Sequence, residues 1–294
     1  MKRSITLLSA LIGVASVAAG ETLWVYGVNE ETGWYDADKT GSGDSALCWA
    51  AVSSNLINWW QNQYVIPSNV PTGDAVWTTY RASVNNVYAN TQVGVEWWLT
   101  GDGGTIYGMD FFKPTWNGGY YTAYESDPYS IYFDEQYVYH TTNNSALTLS
   151  STLYSALSSG SPRVGIGVNV GSSPTYALHG ITLWGAEFDE NRTLTALWLT
   201  DSDDAVSSVG DQDLFKVDVE YKDDHLYLSN YWFASGRYVE SLTIFDASQT
   251  DAWGMERVYI NLPAIPVTHS IPEPATATLS LAALVALSAL RRRK

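Results

Sequence analysis

Cys48 is the only cysteine in the 294 residues, so it cannot form a disulfide within the chain. A cysteine thiolate is a strong nucleophile, which makes a lone cysteine a candidate catalytic residue. Most free cysteines are instead buried and act as small hydrophobic side chains. An exported chain rarely keeps an unpaired thiol without a use, and the termini of this chain indicate export. Both interpretations of Cys48 stay open until the other residues are considered.

A cysteine nucleophile needs a base, and the chain has four histidines, at positions 140, 179, 225 and 269. His140 and His225 lie in polar, turn-like surroundings, and His269 lies close to the C-terminal segment discussed below. His179 differs because it begins an apolar run of residues. We therefore expect His179 to be the base.

An acidic residue could orient the imidazole of His179. Residues 179–188 are predicted to form one strand of a hairpin, and residues 194–200 a returning strand that ends at Asp201. If the turn centres on Glu190, His179 lies directly opposite Asp201. Opposed residues have Cβ atoms about 4.5–5.5 Å apart, close enough for a hydrogen bond, but a slip of one residue would place them on opposite faces.

Residues 47–60 are predicted to form an amphipathic helix, because five residues spaced three and four apart share one face. They are Cys48, Val52, Asn55, Leu56 and Trp59. Asp44 or Ser45 is expected to cap the start of the helix. Cys48 would then lie in the first turn, where the positive end of the helix dipole favours the thiolate.

Together these residues form a Cys48, His179 and Asp201 triad of the kind used for acyl transfer, in the chain order of papain-like enzymes. We therefore predict an α+β, papain-like cysteine peptidase fold. A helix near the N-terminus carries the nucleophile and packs against an antiparallel sheet that carries the histidine and the aspartate. The glutamine that helps papain-like enzymes bind the oxyanion is missing from residues 39–47, so another group must supply that donor.

Longer motifs resemble the IdeS or Mac family of immunoglobulin-degrading cysteine peptidases. The first block contains WYDADKT at 34–40, LCWAA at 47–51 and NLINWW at 55–60. The second block contains HGITLWGAEFD at 179–189 and LTDSD at 199–203. Both blocks are long and stand in the family's order.

The resemblance implies peptide-bond hydrolysis through a thioester, without a metal or an organic cofactor. Cys48 would be the nucleophile, His179 the base and later the acid, and Asp201 the residue that orients the imidazole. Lys39 would place its ammonium in the oxyanion hole beside the backbone N–H of Cys48. Asp203 would be a second active-site acid that supports Lys39 or the local loop. The substrate would be a protein or peptide, with immunoglobulin as one candidate.

The resemblance falls within about residues 22–253 and is weaker between 61 and 162. Trp49 stands where the family usually has a glycine, and it could crowd the cleft or pack behind the helix. Without the resemblance, Lys39 would be interpreted as a solvated loop lysine. Asp201, Asp203 and Asp204 would be interpreted as a turn or as a weak calcium loop that departs from the EF-hand pattern.

Both termini indicate export. Residues 1–20 combine two basic residues with an apolar run, which is typical of a secretory signal peptide. Residues 272–294 hold the sequence PEP, an apolar segment and the basic end RRRK, and they resemble a PEP-CTERM sorting signal. This implies transient membrane insertion, processing by an exosortase-type enzyme, and delivery to the bacterial envelope or exterior. A simple C-terminal anchor is the alternative.

Between these signals we expect a peptidase domain at 21–262 and a linker at 263–271. Six of the 15 basic residues and one of the 31 acidic residues lie outside 21–271, which leaves a formal charge of about −21 there. Such a surface excludes nucleic acid as a partner. The 13 tryptophans and 20 tyrosines could form a core or a binding surface. A non-catalytic envelope or glycan-binding protein, and a peptidoglycan amidase or transpeptidase, therefore remain alternatives.

Overall fold

A computed structural model of the chain describes most of the expected peptidase domain. The described residues are 20–41, 43–101, 111–113, 118–122, 138–140, 145–158, 164–171, 179–232, 237–247 and 255–257. Most of the predicted signal peptide, the linker and the predicted sorting signal lie outside these residues, and so does His269. Within the described residues, no helix is both long and apolar enough to cross a membrane.

The described residues form an α+β fold, as predicted. The helices are α1 (Cys48–Gln61), α2 (Asp74–Ser83), α3 (Thr91–Thr100) and α4 (Ala146–Ser158). The strands are β1 (Glu21–Trp24), β2 (Val138–His140), β3 (Val164–Gly171), β4 (His179–Phe188), β5 (Leu194–Thr200), β6 (Phe215–Lys222), β7 (His225–Leu228) and β8 (Tyr238–Asp246).

The eight described strands pair only antiparallel and form one sheet. Six of them pair in the order β4-β3-β8-β7-β6-β5, and β5 pairs back to β4, so this ring of strands is closed. The strands β1 and β2 add to the ring at β4 and β8. Closure leaves few backbone groups of the ring strands without a partner.

Two cores lie on the two sides of the strands. One is an aliphatic cluster that receives side chains from every strand of the ring. It includes Val168, Leu183, Leu197, Val217, Leu226 and Leu242. The other is rich in aromatic residues and joins helices α1, α2 and α3. It includes Trp49, Trp60, Tyr80, Trp97 and Trp98. The many tryptophans therefore serve largely as core residues.

Helix α1 lies close against β3 and β4 because glycines stand at the contact. A Cβ atom added to Gly167 would lie 2.9 Å from Cγ1 of Val52, and one added to Gly165 would lie 2.9 Å from Cδ2 of Leu56. Val52 and Leu56 belong to the predicted helix face, so this face packs on the sheet as expected. The rest of α1 is buried as well.

The predicted cap of α1 is wrong. The helix begins at Cys48, after Leu47, and no side chain caps it. The carboxylate of Asp44 instead accepts hydrogen bonds from the backbone N–H and the hydroxyl of Thr40, at 2.9 and 3.0 Å. Asp44 therefore closes the loop before the helix rather than the helix itself.

The β4–β5 hairpin has the predicted strands but a different register. Phe188 pairs with Leu194, so the turn centres on Asn191 and not on Glu190. The turn is set by Asp189, whose carboxylate accepts the N–H groups of Asn191 and Thr193 at 2.8 Å each. His179 is therefore not directly opposite Asp201, and the shift amounts to two residues, which keeps both on the same face.

Candidate active site

Cys48 is the first residue of α1, and it is buried and unpaired. The first N–H groups of an α-helix have no acceptor within the helix, so the backbone N–H of Cys48 can serve a ligand. Behind it, β4 begins with His179 and Gly180, and a Cβ atom on Gly180 would lie 3.6 Å from the carbonyl of Cys48. The close approach of helix and sheet thus places the sulfur beside the histidine.

His179 is buried and uses both ring nitrogens. Its Nε2 lies 2.7 Å from Oδ1 of Asp201. Its Nδ1 lies 3.7 Å from Oδ2 of Asp203. The side chain also forms a hydrogen bond with Cys48. Because Nε2 is engaged by Asp201, Nδ1 is the nitrogen that serves the sulfur.

Asp201 is fully buried at the end of β5. Besides His179, it accepts the backbone N–H of Asp203 at 3.0 Å and the hydroxyl of Tyr231. Burial raises the pKa of Asp201, but the charge and hydrogen bond of His179 and the other donors outweigh it, so the pKa is lowered. Asp201 is therefore a charged partner for the imidazole. No sequence pattern singles out Tyr231, which follows β7 and is one of many tyrosines.

Lys39 is buried rather than solvated, so the interpretation as an ordinary loop lysine is wrong. Its ammonium donates to the carbonyl of Ser45 at 3.0 Å and forms an ion pair with Asp203. Its backbone N–H donates to the carbonyl of Ser202 at 2.9 Å, which joins the segment before α1 to the loop after β5. An ammonium has three N–H donors, so two contacts leave one for another acceptor.

The thiol and the imidazole shift each other's protonation. Burial raises the pKa of Cys48, but the hydrogen bond and charge of His179, the N–H of Gly180 and the charge of Lys39 together lower it. Burial lowers the pKa of His179, but the charge and hydrogen bond of Asp201, with those of Cys48, raise it to about 10. Both directions favour a thiolate beside an imidazolium.

Trp49 packs behind the helix. Its indole N–H donates to the carbonyl of Val87 at 2.9 Å, and its ring meets Phe111 and Phe112 edge to face. It is almost fully buried in the aromatic core. The bulky residue beside Cys48 therefore does not crowd the sulfur.

Among the other histidines, only the side chain of His225 is described, and it does not join this site. The ring of His225 contacts the carbonyl of Asp223 at 2.7 Å and the ring of Tyr238. Only the backbone of His140 is described, in β2. Four further acids, Asp36, Asp38, Asp204 and Asp211, form a separate cluster that the sequence analysis did not predict.

The arrangement has the parts that covalent acyl transfer requires: a nucleophile with a lowered pKa, a base in contact with it and an acid that holds the base. In comparison with known families, the family model described as Mac 1 matches residues 24–78 and 108–220. These ranges contain Lys39, Cys48, His179, Asp201 and Asp203. No curated protein matches the chain.

Proposed function

Since the chain belongs to the Mac-1 family, we propose that it is a cysteine peptidase that hydrolyses peptide bonds of protein substrates. One observation carries this proposal. A single buried cysteine lies at the start of a helix, in hydrogen-bond contact with a histidine that Asp201 holds, and the pKa of the thiol is lowered. A structural core cysteine needs none of these contacts.

In the first half of the reaction, the Cys48 thiolate attacks the carbonyl carbon of the scissile bond. The C–S bond forms while the carbonyl π electrons move to oxygen. The imidazolium of His179 then gives its Nδ1 proton to the leaving amine, the C–N bond breaks, and a thioester remains on Cys48. Asp201 keeps its hydrogen bond to Nε2 and so holds the ring in place throughout.

The negative oxygen of the tetrahedral intermediate needs donors, and two groups are suited to it. The backbone N–H of Cys48 lies at the positive end of α1. The third N–H of Lys39 adds a full positive charge, and Asp203 and the carbonyl of Ser45 fix the direction of the ammonium. A preorganised donor of this kind contributes about 3–4 kcal/mol to the stabilisation of the transition state.

In the second half, neutral His179 takes a proton from water, and the resulting hydroxide attacks the thioester carbon. The C–S bond breaks, the carboxylic acid leaves, and the thiolate is regenerated beside the protonated imidazole. Every proton is thus carried by His179. Immunoglobulins are among the protein substrates to be tested, because the family resemblance includes enzymes that cleave them.

We further propose that residues 1–20 direct export and that residues 272–294 are recognised by an exosortase-type enzyme. These segments carry the sequence patterns of such signals. The peptidase would then act at the envelope or outside the cell. Its strongly acidic surface suits a secreted protein that must stay soluble.

The proposed activity is tested by alkylation of Cys48. The full chain is treated with iodoacetamide at mildly acidic pH, and the adduct is located by mass spectrometry. Wild type should react quickly, whereas His179→Ala should react slowly, because its thiol has lost the imidazole that lowers its pKa. His225→Ala is the matched control and should react like wild type.

Circular dichroism of each variant checks that the fold is retained. Equally slow labelling of wild type and His179→Ala would contradict the peptidase and favour a non-catalytic binding protein on the same fold. If labelling is fast, incubation with protein substrates should give cleavage that Cys48→Ala abolishes. The cleaved bond then separates a protein peptidase from an amidase or transpeptidase that acts on peptidoglycan.

A further inference from the structure

A cluster of four carboxylates lies beside the candidate active site. Asp36 and Asp38 precede α1, and Asp204 and Asp211 belong to the loop between β5 and β6. One carboxylate oxygen from each of the four lies within 4.8 Å of the others. Like charges at this separation repel one another strongly when water is partly excluded. Such an arrangement needs something that compensates the negative charge.

Four oxygens of this cluster are buried and lack a hydrogen-bond donor in the described part of the chain. Asp204 is fully buried, and its Oδ2 accepts the backbone N–H of Gln212 at 2.9 Å, but its Oδ1 has no hydrogen-bond partner in the described part of the chain. Both carboxylate oxygens of Asp36 and one of Asp38 are also buried without a hydrogen-bond partner there. A buried acceptor without a donor costs about 1–3 kcal/mol, and a charged one costs more. These oxygens are therefore placed to accept a ligand that is not part of the chain.

We propose that the four carboxylates bind one calcium ion. Every candidate ligand atom is a carboxylate oxygen, which suits a hard cation and not zinc or copper. The ligands come from two loops rather than from a rigid octahedral frame, and calcium accepts such irregular sets of six to eight oxygens better than magnesium does. Water can supply the remaining ligands.

The calcium would fasten two segments that carry active-site residues. Lys39 follows Asp38 directly, and Asp201 and Asp203 precede Asp204. Existing bonds already join these segments, from the hydroxyl of Thr200 to the carbonyl of Tyr35 at 2.9 Å and from Lys39 to Ser202. The ion would act on the stability of this pair of loops and not on the bonds that react. It is thus consistent with a reaction that uses no metal.

Protons are the alternative occupants of the cluster. Burial, together with the neighbouring carboxylates, raises the pKa of Asp36 to about 9, and burial raises that of Asp204 to about 7. An acid that stays protonated would need no cation. Direct measurement of calcium binding separates the two cases.

The experiment uses the full chain after dialysis against EGTA and removal of the chelator. Titration calorimetry with calcium chloride should show one saturable site, and millimolar calcium should raise the Tm by about 5 °C or more, given the affinities common for extracellular sites. Asp204→Asn and Asp36→Asn should lose this Tm rise. In EGTA both variants should unfold at or above the wild-type temperature, because each replaces a buried carboxyl group that is either charged and unpaired or has to take up a proton.

Two further variants sharpen the test. Asp211 is exposed, so Asp211→Asn does not disturb the core and should weaken calcium binding at least tenfold in a fold that remains intact. Asp224→Asn removes the same charge from an exposed turn and should bind calcium like wild type.

Several results would overturn the proposal. They are no saturable uptake of calcium by wild type, an unchanged Tm rise in Asp204→Asn and Asp36→Asn, and an equal effect of magnesium at the same concentration. None of these measurements uses peptidase activity. The calcium site and the proposed function can therefore fail separately.

Discussion

The charge on the sulfur of Cys48 depends on three neighbours that act against burial. His179 is the strongest of them, followed by the N–H of Gly180 and the charge of Lys39. None of these groups adjoins Cys48 in the sequence. The acidity of the thiol is therefore a property of the folded site, and single substitutions around it should separate the contributions.

The first prediction concerns pH. The pKa of Cys48 is lowered and that of His179 is raised, so the thiolate should exist well below the pH at which an ordinary cysteine ionises. As the pH is raised, the rate of alkylation of wild type should already increase in the acidic range. In His179→Ala it should rise only near the ordinary thiol pKa of about 8.5. Coincident profiles would contradict the ion pair.

Lys39 provides a second prediction. Lys39→Met keeps the length of the side chain but removes the charge offered to the oxyanion, so kcat/KM should fall by about 10²–10³-fold. Cys48 should still be alkylated faster than in His179→Ala, because Lys39 contributes less to the thiol pKa than His179 does. Lys216→Met, on the exposed face of β6, is the control and should retain activity. Full activity of Lys39→Met would remove Lys39 from the mechanism.

We expect Tyr231 to position the carboxylate of Asp201, and Tyr231→Phe tests this role. The change deletes the hydroxyl that donates to Asp201 and leaves a buried carboxylate oxygen without that donor, which should cost about 1.5–3 kcal/mol of stability. The alkylation profile of Cys48 should also move to higher pH, because Asp201 then holds the imidazolium less firmly. A loss of stability with an unmoved profile would indicate a structural role only. Tyr227→Phe serves as the comparison.

At this scale the sequence predicted the contact of His179 with Asp201 and missed the contacts that support it. Cys48, His179 and Asp201 could be selected as candidates because the chain has one cysteine and four histidines, and because all three residues lie on predictable elements. Tyr231 and the cluster around Asp36 could not, because they depend on how loops distant in sequence meet. Family resemblance alone pointed to Lys39.

At the scale of elements, the position of the nucleophile depends on how closely α1 approaches β3 and β4. Side chains on β3 would hold the helix away, and glycines at 165 and 167 remove that obstacle. The helix then carries Cys48 to the first residue of β4. The geometry of the candidate site thus depends on residues that are not part of the site.

This dependence gives a prediction for Gly167→Ala. The added methyl would lie 2.9 Å from Cγ1 of Val52, inside a packed core, and should destabilise the protein by about 1–3 kcal/mol. Activity should fall as well, since the helix must move. The double variant Gly167→Ala with Val52→Ala provides the control, because it removes the clash. Urea unfolding should show that the double variant loses less stability than the two single variants together.

The strands of the β4–β5 hairpin were predictable, and their pairing was not. Alternating apolar residues and turn residues placed β4 and β5 correctly. The register depended on the carboxylate of Asp189, which sets a longer turn. The two bulges of the pair, at Glu187/Phe188 and at Leu183/Gly185, cancel each other. Such local features have little effect on the pattern of hydrophobic residues from which strands are predicted. Because the predicted register was wrong by two residues, His179 and Asp201 still lie on the same face and form the expected hydrogen bond.

At the scale of the whole chain, one prediction concerns the two terminal segments and the basic residues at the C-terminal end. If residues 1–20 and 272–294 are signals, the protein recovered from the envelope of a host with an exosortase-type enzyme should lack both. Intact mass measurement of the purified protein checks this. Replacement of the four basic C-terminal residues by glutamine should leave the C-terminal segment uncleaved, because its orientation in the membrane depends on them. Wild-type protein that is recovered from the envelope and still carries residues 272–294 would contradict the sorting proposal.

The closed ring of strands determines when the Cys48 thiol becomes reactive during folding. Ring closure needs the pairing of β3 with β8, so the chain must emerge as far as Asp246 before the ring can form. Pairings between distant segments make folding slow. Until helix and ring have docked, Cys48 has no imidazole beside it and keeps the low reactivity of an ordinary thiol. Folding thus delays the appearance of an activated Cys48 thiol until the helix and the ring have docked.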